Sequence, residues 1–355
     1  MLSINDITPF QKTLIQWYDS HKRDLPWRET HNPYIIWVSE IILQQTQVVQ
    51  GLDYFYRFIT QFPSVSALAN ANIDTVLKYW QGLGYYSRAH NMHNAAKEIM
   101  AKHHGNFPTE YTAVRALKGI GDYTAAAICS FAYNQPYATV DGNVYRFLAR
   151  YFGISTPIDS TNSKKEFAAL AQQLLNLTHS GLHNQAMIEF GALQCVPRSP
   201  DCNNCPFKES CKAFAEDLVE ILPVKEKRTK IRDRFFFYIC IDDNGYTYLK
   251  KRSNDEIWKG LFEFPTIETP KRPMLENILK SEAFSEIVGK NYSIINQLPE
   301  IKHVLSHQHI YACGIHIRTN EQTDALHSCQ RIRIADIHQF AVSRLTGKFL
   351  EKLGW

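Results

Sequence analysis

Four cysteines lie within a short stretch of the chain in the spacing C-x6-C-x2-C-x5-C. Thiolates at this spacing can enclose one metal centre, either a tetrahedral zinc ion or a cubane iron–sulfur cluster. The opening gap of six residues is longer than the two to four typical of a zinc site, which favours the cluster. Disulfides are the alternative, disfavoured because nothing else here is typical of a secreted protein. The four residues are Cys195, Cys202, Cys205 and Cys211. The remaining cysteines are scattered singly and are interpreted as small buried apolar residues: Cys129, Cys240, Cys313 and Cys329.

A single carboxylate, Glu40, interrupts the apolar run of residues 35–43. Burial disfavours the charged form, so the pKa of Glu40 should rise and the group should stay protonated near neutral pH. A protonated carboxyl group is what a general acid requires. The alternative is a buried glutamate paired with an arginine. Gln44 and Gln47 follow at i+4 and i+7, which predicts a polar stripe along one apolar helix.

A second candidate carboxylate is Asp141, which is followed by Gly142 and Asn143 and opens a helical pattern over residues 144–151. Many aspartates in such a position serve as helix N-caps. A carboxylate beside a cleft can also stabilise a cation that develops during a reaction, and one residue can do both. Asp141 follows a glycine turn by about twenty residues, which favours the catalytic interpretation.

That glycine turn has the sequence Leu-Lys-Gly-Ile-Gly at residues 117–121, and a helical pattern follows it. Lys118, Gly119 and Gly121 form a tight turn whose amides point outwards at the start of a helix. Unpaired amides and the helix dipole both favour a phosphate there. A helix-hairpin-helix element of this kind holds a DNA backbone without reading bases. A plain helix–turn–helix connection is the alternative.

A glycine-flanked loop, residues 82–88, carries Tyr85 and Tyr86 beside Arg88. Exposed aromatic rings on such a loop can stack on bases or wedge between them. Taken alone, such rings are more often part of a core.

These residues need two domains to position them. The 355 residues are 45% hydrophobic, which suits globular domains, and no apolar stretch reaches the length of a membrane span. The first 17 residues lack a secretory signal pattern, so we expect a cytoplasmic protein. A net charge of +4 permits a nucleic-acid partner without arguing for one. No self-complementary apolar stripe stands out, so we expect a monomer.

The domain boundary is predicted from a change of character along the chain. Residues 1–221 have amphipathic helical patterns, whereas a linker is predicted at 222–232 and a smaller α+β domain at 233–355. Residues 234–241 are rich in β-formers and lead through Asp-Asn-Gly into 246–249, which predicts a β-hairpin. A second β-rich block spans 302–317, and helical patterns lie near 274–288 and 335–353. The predicted fold is therefore a mainly α domain followed by an α+β domain.

Together these motifs resemble the helix-hairpin-helix DNA glycosylases of the endonuclease III superfamily, and among them those of adenine type. The resemblance covers essentially the whole chain and is carried by WVSEIILQQTQ, GLGYYSRA, LKGIGDYTAAAI, VDGNVYR and the cysteine run. It implies a six-helix barrel beside a module that holds a [4Fe–4S] cluster on the four cysteines. It also implies a double-stranded DNA partner with adenine opposite 8-oxoguanine or guanine, kinked so that the adenine is flipped into a pocket.

The resemblance also implies roles for particular residues. Glu40 matches the general acid that protonates N7 of adenine and then activates water, and Asp141 matches the carboxylate that stabilises the oxocarbenium-like sugar. Asn143 and Tyr123 match residues that support this site. The adenine pocket would be lined by Arg23, Leu25, Trp27, Arg28, Val48 and Gln185. DNA contacts or wedging residues would be Gln44, Gln45, Tyr85, Lys118, Gly119 and Gly121.

Position 123 distinguishes activities within the superfamily, because relatives that also cut the strand have a lysine nucleophile there. Tyr123 cannot form a Schiff base, so we expect a monofunctional enzyme.

The C-terminal domain resembles the Nudix-like module that these enzymes use to recognise 8-oxoguanine. The Glu-rich Nudix box is absent after Pro265, so no pyrophosphohydrolase activity is expected. The usual Phe-Ser-His recognition triplet is here Leu305-Ser306-His307. Leu305 can act as an apolar wedge but cannot stack on a base as an aromatic ring does. Ser306 and His307 keep their hydrogen-bonding capacity.

Two other functions fit part of the sequence. A thymine-mismatch glycosylase would share the helical domain and the cluster, but such relatives usually lack the C-terminal domain. A non-catalytic DNA-binding protein would leave Glu40 buried without a purpose. Adenine excision accounts for all the motifs at once.

Overall fold

The computed structural model describes residues 4–226, 231–253 and 256–355. These residues form two compact units, the first made of residues up to Ala69 together with those from Asn94 to 226. The second unit combines the segment Asn70–His93 with the described residues from 231 onwards. Nothing in the sequence indicated that Asn70–His93 would group with the C-terminal residues.

The region before residue 216 is helical, as the periodicity predicted. Within the described residues, no helix is long and apolar enough to cross a membrane. The helices are α1 (Ile4–His21), α2 (Pro33–Ile42), α3 (Val48–Gln61), α4 (Val65–Asn70), α5 (Ile73–Trp80), α6 (Ser87–His103), α7 (Tyr111–Ala116), α8 (Asp122–Tyr133), α9 (Gly142–Phe152), α10 (Thr161–Leu174), α11 (Ser180–Leu193) and α12 (Lys212–Ala215).

An aromatic core holds part of the first unit together. Phe147 of α9 packs against Phe190 of α11, with ring centroids 4.4 Å apart. Phe10 of α1 and Phe207 of the cysteine-rich segment complete the cluster. Buried aromatic pairs of this kind add about 0.5–1.5 kcal/mol beyond the burial of their area. The cysteine-rich segment is therefore built into the helical core.

The helix that carries Glu40 is shorter than predicted. α2 ends at Ile42, and Gln45 adopts a left-handed conformation with φ of 56° before α3 begins. The prediction that Gln44 and Gln47 continue one helical stripe from Glu40 is therefore wrong. Four polar residues in succession, 44–47, offer no apolar side chain to hold another helical turn against a core.

The described residues from 231 onwards form two small sheets and four α-helices, which confirms the predicted α+β arrangement. One sheet has the order β4-β1-β6-β5 and the other has the order β3-β2-β7. The strands are β1 (Arg232–Asp242), β2 (Tyr246–Lys251), β3 (Phe262–Glu263), β4 (Thr266–Thr269), β5 (Ser293–Val304), β6 (Gln308–Arg318) and β7 (Gln330–Arg333). The helices are α13 (Leu275–Leu279), α14 (Glu282–Val288), α15 (Asp324–His327) and α16 (Arg344–Leu353).

β1 is one of the two inner strands of its sheet, and its two faces belong to two different cores. Phe236 and Tyr238 pack on one side, and Phe237 and Ile239 pack on the other. A strand that is covered on both faces has a continuous apolar sequence rather than an alternating one. This explains the uninterrupted run of β-formers.

The predicted hairpin after β1 forms only at its turn. Asn244 and Gly245 both have positive φ, as the tight turn requires. The flanking strands nevertheless enter different sheets and are joined only by a bridge between Asp243 and Tyr246. β1 pairs instead with β6 over residues 232–242 and with β4 over residues 235–238, while β2 pairs with β3 and β7.

Candidate active site

Glu40 and Tyr123 meet where α2 packs against α8. Glu40 lies near the end of α2, and Tyr123 lies in the first turn of α8. Their side chains share a hydrogen bond. Burial and the nearby charge of Glu40 raise the pKa of Tyr123 well above its usual value. The phenol therefore stays protonated and acts as a donor to the carboxylate.

The predicted desolvation of Glu40 is confirmed. Burial raises the pKa of Glu40 to about 7, and the charge of Asp141 adds to this, while Tyr123 and Arg28 oppose it. An arginine does pair with a buried glutamate in this unit, but its partner is Glu189 and not Glu40. Glu40 is thus poised to carry a proton near neutral pH.

Asp141 is the N-cap of α9. One oxygen, Oδ1, accepts from the amides of Asn143 at 2.9 Å and Val144 at 2.8 Å. The other, Oδ2, accepts from the side-chain amide of Asn143 at 2.8 Å. Burial raises the pKa of Asp141, whereas these three hydrogen bonds favour its ionised form and oppose the rise. The carboxylate of Asp141 therefore serves as the N-cap of α9 and is also the group that could stabilise a developing cation.

The side chain of Asn143 is itself held in place. Its Oδ1 accepts from Nη2 of Arg146 at 2.9 Å, which orients its amide towards Asp141. Arg146 also donates to the carbonyl oxygens of Gly191 and Cys195. A Cβ atom at position 191 would lie 2.5 Å from the Asn143 carbonyl oxygen, so only glycine permits this approach.

A buried ion-pair cluster lies at the predicted base pocket, and its centre is Glu189, which the sequence analysis missed. The carboxylate has no exposed surface and bonds to both Arg23 and Arg28. Burial acts to raise the pKa of Glu189, but the hydrogen bonds from Arg23 and Arg28 outweigh it and lower the pKa to about 2. The sequence did indicate Glu189 in one way, because it places an acidic residue within the apolar pattern of α11.

The other predicted pocket residues differ in their surroundings. Gln185 accepts a hydrogen bond at Oε1 from the hydroxyl of Tyr18 at 2.9 Å, one turn of α11 before Glu189. Leu25 and Trp27 are buried in the core, where Trp27 packs edge-on against Phe55. Val48 is half-buried at the start of α3. The structure thus brings Arg23 and Arg28 together on Glu189, with Gln185 one helical turn away.

Glu189→Gln is expected to destabilise the protein by about 3 kcal/mol, because it leaves two arginines without a buried counter-charge. The melting temperature should fall by about 5–10 °C. Glu216→Gln is the matched control, since its pair with Lys212 is about half exposed and spans 3.9 Å; exposed pairs contribute little. A wild-type melting temperature for Glu189→Gln would contradict this assignment. The stabilisation from Glu189 should be present above pH 4.5 and lost as pH falls towards 2.

The four clustered cysteines line one cavity, together with Phe147, Arg150, Tyr151, Phe190 and Phe207. All the cysteines in the described residues are free thiols. Burial raises the pKa of the Cys205 thiol to about 12, and its three neighbouring cysteines add to this. In the described part of the chain, no three ligand side chains converge closely enough to hold a single metal ion.

Arg150 holds the start of this cysteine loop. It is 3% exposed and donates to the carbonyl oxygens of Val196 and Pro197 and to Sγ of Cys195 at 3.5 Å. A buried cation among thiols compensates their negative charge once they are deprotonated. A shared cavity, four thiols and a buried guanidinium therefore suit a negatively charged thiolate centre.

The predicted DNA-contacting turn joins α7 to α8. Lys118, Gly119 and Gly121 are exposed, whereas Leu117, just before them, and Ile120 are buried and fix the turn. Gly119 has a φ of +80°, which favours glycine. Gln45 is exposed in the turn after α2, and Nε2 of its neighbour Gln44 lies 3.5 Å from the hydroxyl of Thr124.

In the second unit, Leu305, Ser306 and His307 form the turn between β5 and β6. Ser306 and His307 are exposed and hydrogen-bond to each other at 3.2 Å. Leu305 packs partly against the core of the sheet. Tyr85 is 45% exposed in the same unit.

Two family models match the chain. The HhH-GPD superfamily of base excision DNA repair proteins matches residues 38–176, and a NUDIX domain matches residues 236–352. The predicted helix-hairpin-helix and Nudix-like parts are thereby confirmed.

Named relatives support the same grouping. An adenine DNA glycosylase of Buchnera aphidicola (subsp. Baizongia pistaciae) is 37% identical over 88% of this chain and 87% of its own length. One from Rattus norvegicus is 32% identical over 86% of this chain and 69% of its own length. Among solved structures, a thermostable thymine-DNA glycosylase is 26% identical and superposes with a TM-score of 0.55, covering 59% of this chain and 97% of its own.

Proposed function

Since this chain belongs to the adenine DNA glycosylases, we propose that it excises adenine placed opposite 8-oxoguanine or guanine in duplex DNA, without cutting the strand. The observation that carries the mechanism is the meeting of Glu40, Tyr123 and Asp141 in one half-buried place. Two carboxylates in different environments are what the hydrolysis of a glycosidic bond needs.

Glu40 acts as the general acid. Adenine leaves poorly as an anion, so a proton delivered to N7 lets it leave as a neutral base. A carboxyl group with a pKa of about 7 is substantially protonated at neutral pH and can give up its proton at little cost. The carboxylate that results is then available to activate water.

Asp141 stabilises the positive charge left on the sugar. Its oxygens are held by three hydrogen bonds from the start of α9 and from Asn143. A preorganised charge costs no reorganisation when the cation forms. Asn143 and Arg146 act as positioning residues for this carboxylate.

Tyr123 limits the reaction to base removal. Its hydroxyl is directed to Glu40, and a phenol cannot form a Schiff base with the sugar carbon. The product of the reaction should therefore be an abasic site on an intact strand. In the base pocket, we assign recognition of adenine to Gln185, with Arg23 and Arg28 held by Glu189.

We assign the four cysteines to a [4Fe–4S] cluster. When bound, a cluster of this kind ties the cysteine loop to the helical core, and Arg150 would compensate the charge of its thiolates. We expect about four iron atoms per chain by metal analysis, with iron lost in Cys205→Ser and kept in Cys313→Ser. Four irons in Cys205→Ser would contradict the assignment.

The Nudix-like domain is proposed to sense 8-oxoguanine through Ser306 and His307 at the exposed β5–β6 turn. The experiment is a panel of duplexes with adenine opposite 8-oxoguanine, adenine opposite guanine, and thymine opposite guanine. We expect excision from the first two only. Excision of thymine alone would favour the mismatch specificity of the thymine-DNA glycosylase that shares the helical fold.

The excision rate should depend on pH through Glu40. Because the protonated acid is the active form, the single-turnover rate should be level below about pH 7 and fall about tenfold per unit above it. An ordinary glutamate would place this break near pH 4.5. A rate that stays level to pH 9, in protein shown to remain folded, would refute the role of Glu40 as the acid.

A further inference from the structure

The loop that carries Tyr85 belongs to the same compact unit as the C-terminal sheets. We propose that the Nudix-like domain positions this loop for insertion into DNA, acting through α5 and the first turn of α6. This inference rests on the proposed function, which makes Tyr85 a wedge beside the lesion. It gives the C-terminal domain a second role, in addition to contact with the lesion.

The Tyr85 loop, residues 81–86, is organised around two buried side chains. Trp80 has no exposed surface and donates from its ring nitrogen to the Gly84 carbonyl at 3.1 Å. Arg88 donates to the carbonyl oxygens of Leu83 and Gly84 at 3.2 Å. Its guanidinium lies 5.2 Å from the ring centre of Trp80 and 5.7 Å from that of Tyr85.

Backbone conformation also restricts this loop. Gly82, Gly84 and Tyr85 have φ values of 103°, 71° and 45°. A tyrosine with positive φ is unusual and costs about 1 kcal/mol or more, so surrounding contacts must hold it. The exposed Tyr85 ring is thus presented from a fixed backbone.

The contacts that hold the loop come from the C-terminal domain. Nζ of Lys78, on α5, donates to the Phe340 carbonyl at 3.1 Å and to Oε1 of Gln81 at 3.2 Å. The same Gln81 oxygen accepts from the Val342 amide at 3.3 Å. Gln81 is the first residue of the loop, and Val342 belongs to the core of the sheets. The loop therefore begins on a residue that is fixed by the C-terminal domain.

A second set of contacts lies around Gly260, in the segment before β3. A Cβ atom there would lie 3.0 Å from Leu77 of α5 and 3.2 Å from the ring of His90 on α6. The His90 ring also bonds to the Lys259 carbonyl at 3.0 Å. At the other end of α5, Asp74 forms an ion pair with Lys251. Both helices that flank the loop are thus held in contact with the C-terminal domain.

This arrangement matters because wedging a ring into a base stack costs several kcal/mol. A loop that is already in its bound conformation avoids the entropy cost of ordering on DNA. Weakening the contact between α5 and the C-terminal domain should therefore weaken binding at the lesion, while the chemistry of Glu40 and Asp141 stays unchanged.

Gly260→Ala tests the packing of the C-terminal domain against α5 and α6, and Gly245→Ala is its matched control. The two glycines have similar φ values, 79° and 83°, but a Cβ at position 245 would meet nothing within 4 Å. The probe is a duplex with adenine opposite 8-oxoguanine, and single-turnover excision of the adenine is read out as strand breaks after hot alkali. At enzyme concentrations that exceed the duplex but do not saturate binding, Gly260→Ala should be about tenfold slower than wild type, and Gly245→Ala less than about twofold slower. At saturating enzyme, both should approach the wild-type rate.

A double-mutant cycle with Tyr85→Ala identifies the route of the effect. If the contact at Gly260 acts through the Tyr85 ring, Gly260→Ala should lower the excision rate by less than about twofold in the Tyr85→Ala background. An equal loss in both backgrounds, or no loss in wild type, would overturn the inference. Gln81→Ala, which removes the acceptor for the Val342 amide, replaces Gly260→Ala if that variant does not fold. A wild-type protein that removes no adenine from this duplex, so that hot alkali produces no strand breaks, would instead refute the proposed function, and this inference with it.

Discussion

Glu40→Gln is expected to reduce single-turnover excision of adenine by about a thousandfold. Glutamine has nearly the same shape and can still accept the hydrogen bond from Tyr123, but it has no acidic proton to give to the leaving base. The affinity for a duplex with adenine opposite 8-oxoguanine should change by less than about threefold, because this change removes only the acid. The measurement is quenched single-turnover excision, read out as strand breaks after hot alkali, alongside a binding titration.

Glu98→Gln is the matched control for that variant, because Glu98 pairs with Lys102 on the surface of α6. It should excise at the wild-type rate. If Glu40→Gln also excises at the wild-type rate, another group must supply the proton. If it loses DNA binding together with excision, the change has altered the pocket itself, and the acid role stays unsupported.

Asp141→Asn should lower the excision rate by about a hundredfold or more, since it removes the negative charge that faces the developing sugar cation. Asparagine is as good an N-cap as aspartate, so α9 should keep its start and its stability. This substitution therefore separates the charge of Asp141 from its capping role. Excision and melting temperature should be measured on the same preparation.

Asp141→Ala provides the comparison, because alanine removes both the charge and the cap. It should be as slow as Asp141→Asn and also about 1 kcal/mol less stable. A fast Asp141→Asn beside an unstable Asp141→Ala would mean that the residue is only a helix cap. Slow excision by both variants, with a stability loss in alanine alone, is the expected result.

Features that depend on local sequence could be predicted. The single carboxylate in the apolar run of α2 indicated a desolvated acid, and the pKa of Glu40 is raised to about 7. The spacing of the cysteines indicated a common site, and all four line one cavity. The change to an α+β domain followed from the run of β-formers, although that run is continuous because β1 is buried on both faces.

Features that depend on packing between distant segments could not be predicted. Glu189 meets Arg23 and Arg28 across more than 160 positions of the chain, and no local pattern specifies such a pairing. The grouping of Asn70–His93 with the C-terminal domain likewise depends on contacts such as Lys78 to Phe340. The end of α2 at Ile42 was missed because the polar residues after it also fit a helical stripe.

The central claim is that this chain removes adenine opposite 8-oxoguanine and leaves the strand intact. The most direct test is single-turnover reaction of such a duplex, analysed with and without hot alkali. Strand breaks that form only after alkali are the predicted result, because Tyr123 offers no amine nucleophile. Breaks without alkali would contradict the monofunctional assignment and point first to Lys118. Absence of breaks under both conditions, from protein with its iron in place, would contradict the substrate itself.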